Sequence, residues 1–426
     1  MPTDSFGKTS RRALFQDLLA SLPIAAGVPL LAQTVGSFQS GVLRPFRVDI
    51  QKPAIDRILR RVKEFRFPDR LDGNDWRYGA DWDYMKALAS YWTAAFDWRK
   101  AESNLNRYPQ FLARVEDFDI HFYHVKGRGP RPTPLILTHG WPGSVYEFLE
   151  AIAPLTDPAS VGGSPEDAFD VVIPSLPGFG FSSKPKGAPV GPPITARLWN
   201  RLMTEVLRYP KYGAQGGDWG NAVTVQLARE YPANLLGIHL NAAGAAGGTD
   251  VEQTDEIREW QRAANAYRTL ELDYFNEQQH KPQTVAFALS DNPVGAAAWM
   301  VEKFKSWSDS GNNLDQTFSK EQILTSVMLY LVTETTATGV WFYRGSADDR
   351  SSAGSGARGK VNVPTGFASF PKEMPPLNPP RSLLAQTFNL VHYTRMPRGG
   401  HFACLEQPAL FVDDVRSFYR ELRALK

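Results

Sequence analysis

The segment at residues 212–220, YGAQGGDWG, constrains the fold of this chain most strongly. A short apolar strand runs into a turn in which Gly216 and Gly220 flank Asp218, and a helical pattern follows from Asn221 to Glu230. Small residues on both sides allow the backbone to bend sharply and to expose the one side chain between them. The turn therefore predicts a buried strand that leads directly into a helix, with Asp218 displayed at the bend.

The rest of the pattern predicts an α/β architecture with a largely parallel sheet. Short apolar strands are expected at residues 135–138, 170–174, 212–215, 361–363 and 388–393, with helices at 52–65, 197–207, 221–230 and 408–425. A helical block at residues 250–345 interrupts this alternation and indicates an inserted cap. Its expected helices are 252–274, 284–289, 295–305 and 320–338, and a loop of small residues is expected at 345–360.

Composition excludes several classes of protein. The 47 basic and 45 acidic residues leave a net charge of +2 with no long run of one sign, whereas nucleic-acid binders show a clustered basic face. One cysteine, Cys404, excludes a disulfide framework and a cysteine-based zinc site. No apolar stretch reaches the roughly 18 residues of an ordinary transmembrane helix.

The N-terminal 40 residues leave two alternatives open. Arg11 and Arg12 precede a moderately apolar segment at residues 22–35, which is similar to a twin-arginine export signal. Pro23 and Pro29 interrupt that segment, and no clear cleavage site follows it. Residues 1–40 are therefore expected to be either an export signal or a disordered or docked arm.

An aspartate at the exposed turn restricts the chemistry. A carboxylate that attacks an ester would give an anhydride, whereas one that attacks a saturated carbon gives an ordinary ester. The expected electrophile is therefore an epoxide or an alkyl halide. The alternative is that Asp218 only caps the N-terminus of the helix, a role that aspartate often fills.

His401 is the expected base. It follows the last predicted strand in the segment RGGHF, and the order of nucleophile and then histidine along the chain is that of the α/β-hydrolase triad. Its ordinary pKa of about 6.5 suits the activation of water at neutral pH. Five other histidines are expected to have structural roles: His121, His124, His239, His280 and His392. Two aspartates that follow His401, Asp413 and Asp414, are expected to be exposed to solvent.

The HGWPG turn at residues 139–143 is expected to form part of an oxyanion hole. The backbone N–H of Trp141 and that of Trp219 would together donate to the negative oxygen that develops during ester hydrolysis. Pro142 has no N–H and cannot be the donor.

Several motifs in order resemble the microsomal-type epoxide hydrolases: HGWPGS, PSLPGFGFS, AQGGDWG, DNPVG and RGGHFA. The resemblance extends from about Phe46 to the C-terminus. It implies an α/β-hydrolase fold with a mostly parallel central sheet, an inserted helical cap and an N-terminal meander. The expected segments are residues 1–40, the meander at 41–130, the first half of the core at 131–249, the cap at 250–345 and the second half of the core at 346–426.

The resemblance also implies three further site residues. The FPKE turn makes Glu373 the acid that orients His401, and Asp348 or Asp349 is the alternative. Tyr274 and Tyr343 are implied as acids toward the epoxide oxygen, because a phenol can yield its proton to an alkoxide.

These residues predict an epoxide hydrolase that forms a vicinal diol through an ester of Asp218. Water and a small epoxide would be the reactants, and neither a metal nor an organic cofactor is required. The alternatives are a haloalkane dehalogenase, which would need side-chain N–H donors for halide, and a non-catalytic binding protein on the same fold. An N-terminal region that wraps the surface is compatible with a homodimer.

Overall fold

The computed structural model describes residues 42–73, 75–243, 252–352 and 359–424. The export signal or arm expected at residues 1–40 lies outside this part of the chain. The described residues contain one sheet of nine strands: β1 Leu43–Phe46, β2 Gln110–Val115, β3 Phe118–Val125, β4 Thr133–Thr138, β5 Phe169–Pro174, β6 Tyr212–Gly216, β7 Leu235–Leu240, β8 Val361–Ser369 and β9 Phe388–Arg395.

The sheet combines an antiparallel edge with a parallel centre. Its strand order is β1-β2-β3-β5-β4-β6-β7-β8-β9. The pairs from β1 to β5 are antiparallel, and every pair from β5 to β9 is parallel. All residues of β5 and β6 are buried, as expected for central strands of a parallel sheet that is covered on both faces. The predicted α/β-hydrolase fold with a mostly parallel sheet is confirmed.

Helices cover both faces of the sheet and form the cap. They are α1 Lys52–Lys63, α2 Trp82–Ala94, α3 Trp98–Leu105, α4 Leu149–Thr156, α5 Pro192–Arg201, α6 Asp218–Glu230, α7 Asp255–Glu271, α8 Asp273–His280, α9 Pro282–Leu289, α10 Pro293–Trp307, α11 Lys320–Val332, α12 Thr336–Ser352, α13 Arg381–Thr387, α14 Ala403–Glu406 and α15 Pro408–Ala424. The helix expected at residues 197–207 begins earlier, at Pro192, and passes into a π-helical turn at Leu202–Val206.

The cap differs from the sequence prediction in three places. The helix expected at 252–274 ends at Glu271, so that Tyr274 lies in α8. The helix expected at 320–338 is two helices, because Glu334 adopts a left-handed φ of 54° between α11 and α12. The loop expected from residue 345 is helical as far as Ser352, and an ion pair of Arg344 with Asp348 at the i,i+4 spacing supports this extension.

No single helix of the described chain is long and apolar enough to cross a membrane. Two consecutive cap helices, Lys320–Val332 and Thr336–Asp349, reach that length and composition only together, and they are bent by 85° relative to each other. Within the protein, α11 is largely buried.

The N-terminal helices pack against the cap. Arg57 of α1 donates to the Asp291 carboxylate at 2.7 Å, and Tyr84 of α2 donates to Asp315 at 3.1 Å. Trp92 and Trp98 from the aromatic-rich stretch are buried. The prediction that these rings form a layer between two parts of the chain is consistent with these contacts.

The prediction that Asp414 is solvated is wrong. Asp414 is buried on α15 and contacts two histidines, with Oδ2 2.8 Å from His239 Nε2 and Oδ1 3.0 Å from His392 Nε2. Burial is the largest single influence on Asp414 and by itself would raise its pKa. The hydrogen bonds with the two histidines and the charge of His239 together outweigh burial, so the pKa is lowered. Its neighbour Asp413 is 73% exposed, as expected. The two aspartates differ because α15 presents only one of them to the sheet.

Candidate active site

Asp218 stands at the bend between β6 and α6. Its backbone has a φ of 47°, which is rare for a residue other than glycine and marks a strained turn. The helix begins at Asp218, three residues before the predicted start. A side chain at Gly220 would meet the Thr138 carbonyl oxygen at 1.9 Å, so that only glycine lets α6 pack this close to β4. The residues of the motif thus place one carboxylate at the carboxyl end of the parallel strands.

The two oxygens of Asp218 have different partners. Oδ1 accepts a hydrogen bond from the backbone N–H of Trp141 at 2.8 Å. Oδ2 lies 3.2 Å from His401 Nε2. The side chain keeps 17% of its surface accessible. One oxygen is therefore held by a donor that suits a negative charge, while the other contacts the expected base.

Glu373 contacts the opposite nitrogen of His401. The His401 Nδ1 atom lies 2.8 Å from Glu373 Oε1 and 3.1 Å from Oε2, and the glutamate side chain is fully buried. The backbone N–H of Met374 also donates to Oε1 at 2.7 Å. Burial by itself lowers the pKa of His401, but the carboxylates of Glu373 and Asp218 outweigh it and hold this pKa well above 6.5.

The alternative acids lie elsewhere. Asp348 is 48% exposed and pairs with Arg344 at 2.7 Å. Asp349 lies beside it in α12. The described contacts of His401 include neither aspartate, so the structure brings Glu373 and not these residues to the histidine.

A buried glutamate that the sequence analysis missed holds the His401 loop. Glu406 accepts hydrogen bonds from the backbone N–H groups of Gly400 at 3.0 Å, Phe402 at 3.0 Å and Asp309 at 2.8 Å. Burial raises the pKa of Glu406 to about 7. This carboxyl ties the histidine loop to the end of cap helix α10. A carboxyl among the apolar residues of the FACLE segment was the available sequence signal.

Hydrogen bonds of the His139 ring stabilise the HGWPG turn. His139 Nε2 accepts a hydrogen bond from Leu176 N at 3.1 Å, and Nδ1 lies 2.9 Å from the Gly140 carbonyl oxygen, to which it donates. Burial lowers the pKa of His139 to about 4, so the ring is neutral at pH 7. The Trp141–Pro142 peptide bond is cis. The arrangement directs the Trp141 N–H at the Asp218 carboxylate, and its role as an oxyanion donor stays a prediction.

The second expected donor is Trp219, at the first turn of α6. Backbone N–H groups at a helix start have no partner within the helix and suit a developing negative charge. The described hydrogen bonds include none from Trp219 N to Asp218. Its indole ring packs edge-on against Tyr343, with ring centroids 4.8 Å apart.

Two cap tyrosines lie above the turn. Tyr274 of α8 stacks on Trp141 with ring centroids 5.8 Å apart, and Tyr343 of α12 meets the same ring edge-on at 5.8 Å. The rings of Tyr274 and Tyr343 also meet edge-on, with centroids 6.1 Å apart. Burial raises both pKa values well above 10, and the negative charge of Asp218 adds to this shift. Both phenols therefore stay protonated and able to donate.

Lys303 is a further neighbour that the sequence analysis did not identify. Its ammonium group lies 4.2 Å from the centroid of the Tyr274 ring, and the residue is buried. It also forms an ion pair with Glu302. The ammonium group is thus placed for a cation–π contact with the Tyr274 ring.

Two family models match the chain. "Epoxide hydrolase N terminus" matches residues 43–148, and "alpha/beta hydrolase fold" matches residues 133–314. The first covers β1 to the HGWPG turn and its flanking helix. The second covers the first half of the core, with the turn that carries Asp218, and the cap as far as the end of α10.

Individual proteins match over most of the chain. Epoxide hydrolase 1 of Sus scrofa is 36% identical over 406 residues, which cover 88% of this chain and 88% of that protein. The crystal structure of juvenile hormone epoxide hydrolase from Bombyx mori superimposes with a TM-score of 0.80 at 27% identity, over 91% of this chain and 96% of that one. The epoxide hydrolase of Aspergillus niger gives 0.79 at 28% identity, over 90% and 97%.

Proposed function

The chain belongs to the epoxide hydrolase family and is an epoxide hydrolase, and from this premise we propose that its reaction passes through an alkyl ester of Asp218. The observation that carries this proposal is the position of the Asp218 carboxylate between the Trp141 N–H and His401 Nε2. A nucleophile, a base and an oxyanion donor thus meet at one carboxyl group.

The first step opens the ring. Asp218 Oδ2 attacks one epoxide carbon from the side opposite the ring oxygen, and the bond from that carbon to the oxygen breaks. The leaving oxygen takes a proton from Tyr274 or Tyr343. The edge-on contact between the two rings supports this role, because a second phenol close by can stabilise the phenolate that the first becomes.

The second step cleaves the ester. His401 Nε2 accepts a proton from water, whose oxygen adds to the Asp218 carboxyl carbon. The Trp141 N–H, with the Trp219 N–H as second donor, stabilises the negative oxygen. Collapse expels the diol oxygen, which takes the proton from His401. Glu373 orients the imidazole and stabilises its charged form.

Loss of the Asp218 charge couples the two steps. In the resting enzyme the carboxylates of Asp218 and Glu373 favour protonated His401. Esterification neutralises Asp218 and removes one of these two charges. The pKa of His401 then falls and its proton passes to the tyrosinate left by ring opening, so the imidazole becomes a base only after the ester has formed.

Isotope labelling tests the covalent route. With enzyme in excess over epoxide in H₂¹⁸O, the diol of the first turnover is expected to contain no label, because its new oxygen comes from Asp218. The label then appears in the Asp218 carboxylate, as mass analysis of its peptide would show. A labelled diol in the first turnover would mean that water attacks the epoxide directly and that the proposal is wrong.

Substitution of the tyrosines tests the acids. Tyr274→Phe and Tyr343→Phe are each expected to slow ring opening, and the double variant should lose about 10²–10⁴-fold, the usual value of general-acid assistance. Single-turnover rates of ester formation and decay provide the measurement. Tyr78→Phe, at a tyrosine whose side chain is exposed, is the matched control. Slower ester decay with unchanged ring opening would contradict the assignment.

The haloalkane dehalogenase alternative lacks comparable support. The side chains that pack on Trp141 beside Asp218 are the phenols Tyr274 and Tyr343, whose hydroxyl groups suit an alkoxide oxygen. The similar proteins are named as epoxide hydrolases. An epoxide and water are the two reactants, and the homodimer stays a prediction.

A further inference from the structure

A small cavity adjoins the Asp218 carboxylate. Its volume is about 20 Å³, and its lining includes Asp218, His401, Glu147, Thr138 and Cys404. Neither cap tyrosine belongs to this lining, so the cavity is separate from the position at which the epoxide oxygen would meet the phenols. About 10–15 Å³ is enough for one water molecule where polar partners are present. The cavity therefore has the size and the lining for a single water beside both reacting groups.

Glu147 brings a third ionisable group to this cavity. It lies in the short helix that follows the HGWPG turn, where its Oε1 accepts a hydrogen bond from Ser144 N at 3.0 Å. The carboxyl folds back over Gly143. A Cβ atom at this position would lie only 1.4 Å from Oε1, so only glycine leaves room for the carboxyl. Within the described part of the chain no hydrogen bond is made to Oε2. This oxygen is the one left available to the cavity.

The carboxyl group of Glu147 is neutral at pH 7. Burial raises its pKa to about 8, with the charge of Asp218 adding to the shift and that of His401 opposing it. A neutral carboxyl can both donate and accept a hydrogen bond. A charged carboxylate at this place would compete with Glu373 for the positive charge of His401.

We propose that this cavity holds the hydrolytic water and that Glu147 positions it for attack on the Asp218 ester. The inference rests on the proposed function. His401 Nε2 takes one proton from the water, and the water oxygen forms a bond to the Asp218 carboxyl carbon. The bond from that carbon to the diol oxygen then breaks, and the diol oxygen receives the proton from His401. The carboxyl proton left on Asp218 passes to His401 and restores the resting state, while Glu147 keeps its own proton throughout.

The arrangement separates water from substrate. The epoxide meets Asp218 beneath the cap tyrosines, whereas the water is held among residues of the core. A water that is already oriented before the ester forms loses little freedom when it reacts. Glu147 is therefore a positioning residue of the second step and should have little influence on the first.

The test compares the two steps in three variants. Glu147→Leu removes the hydrogen bond at similar volume, Glu147→Gln keeps a neutral donor, and Glu150→Gln is the matched control on a side chain that is 59% exposed. Rapid mixing and quenching, with the epoxide that wild type turns over fastest, gives rates of ester formation and decay by intact mass. Glu147→Leu is expected to slow ester decay about 10–100-fold, since misplacement of a reactant costs this much, and to change ester formation less than twofold. Glu147→Gln should restore most of the decay rate.

Other results would overturn the inference. Equal slowing of both steps in Glu147→Leu would show a structural role, and unchanged decay would show that Glu147 does not position the water. If the leucine variant does not fold, Glu147→Ala replaces it, and added formamide, a small neutral donor, should restore its decay rate. Failure of the proposed function is distinguishable, because no ester would then form in wild type or in any variant.

Discussion

Asp218→Ala is expected to form no diol from any epoxide that the wild-type protein hydrolyses. The alanine variant has no atom to make the ester, and removal of a nucleophile typically costs about 10⁴-fold or more in turnover. The measurement supplies both proteins with a panel of epoxides, haloalkanes and aryl esters and quantifies diol, halide and acid. We expect diol from wild type alone.

The matched control for this variant is Asp413→Ala. Asp413 is an exposed carboxylate on α15, and its loss leaves the charge of the site unchanged. Full activity in the control and none in Asp218→Ala would assign the nucleophile. Diol formation by Asp218→Ala at the wild-type rate would disprove the covalent route. Halide release without diol from the wild-type protein would instead indicate a dehalogenase and would leave the tyrosine pair without its assigned role.

His401→Gln is expected to trap the intermediate. Glutamine is neutral and cannot take a proton from water, so ester hydrolysis should fall by about 10²–10⁴-fold, the usual contribution of a general base. Ring opening does not use the imidazole as a base and should continue. The protein is therefore expected to gain the mass of one epoxide per chain within the first turnover, and steady-state diol formation should fall with ester decay.

Peptide mapping and a control complete this experiment. The added mass should lie on the peptide that contains Asp218. His392→Gln is the matched control, because His392 contacts Asp414 and Glu421 rather than the active site. An adduct on another residue would show that this other residue, and not Asp218, is the nucleophile. Absence of an adduct together with normal diol formation would remove His401 from the mechanism.

The turn at Asp218 and the loop at His401 could be predicted because their signals are local. Glycines beside Asp218 and before His401 appear in the sequence at the places where the backbone bends. The strand that precedes each turn is recognisable from its apolar residues. Local backbone geometry and local sequence are therefore closely related at these two positions.

The environments of the remaining carboxyl groups depend on contacts between distant segments. Asp414 was expected to be exposed, yet it contacts His239, which lies 175 positions earlier in the chain. Glu373 was assigned through a family resemblance, and its contact with His401 spans 28 positions. Glu406 and Glu147 were not identified. For each of these residues, burial and partners are set by how helices pack on the sheet.

The sequence by itself determined the α/β class, the strand–turn–helix that displays Asp218 and the choice of His401 as the candidate base, because each follows from short-range backbone preferences and apolar periodicity. Only the tertiary structure decided which acid meets His401, that Tyr274 and Tyr343 share one ring of Trp141, and that Glu147 borders a cavity beside the nucleophile. Distances between side chains from different segments depend on packing across the whole core, which no local pattern specifies.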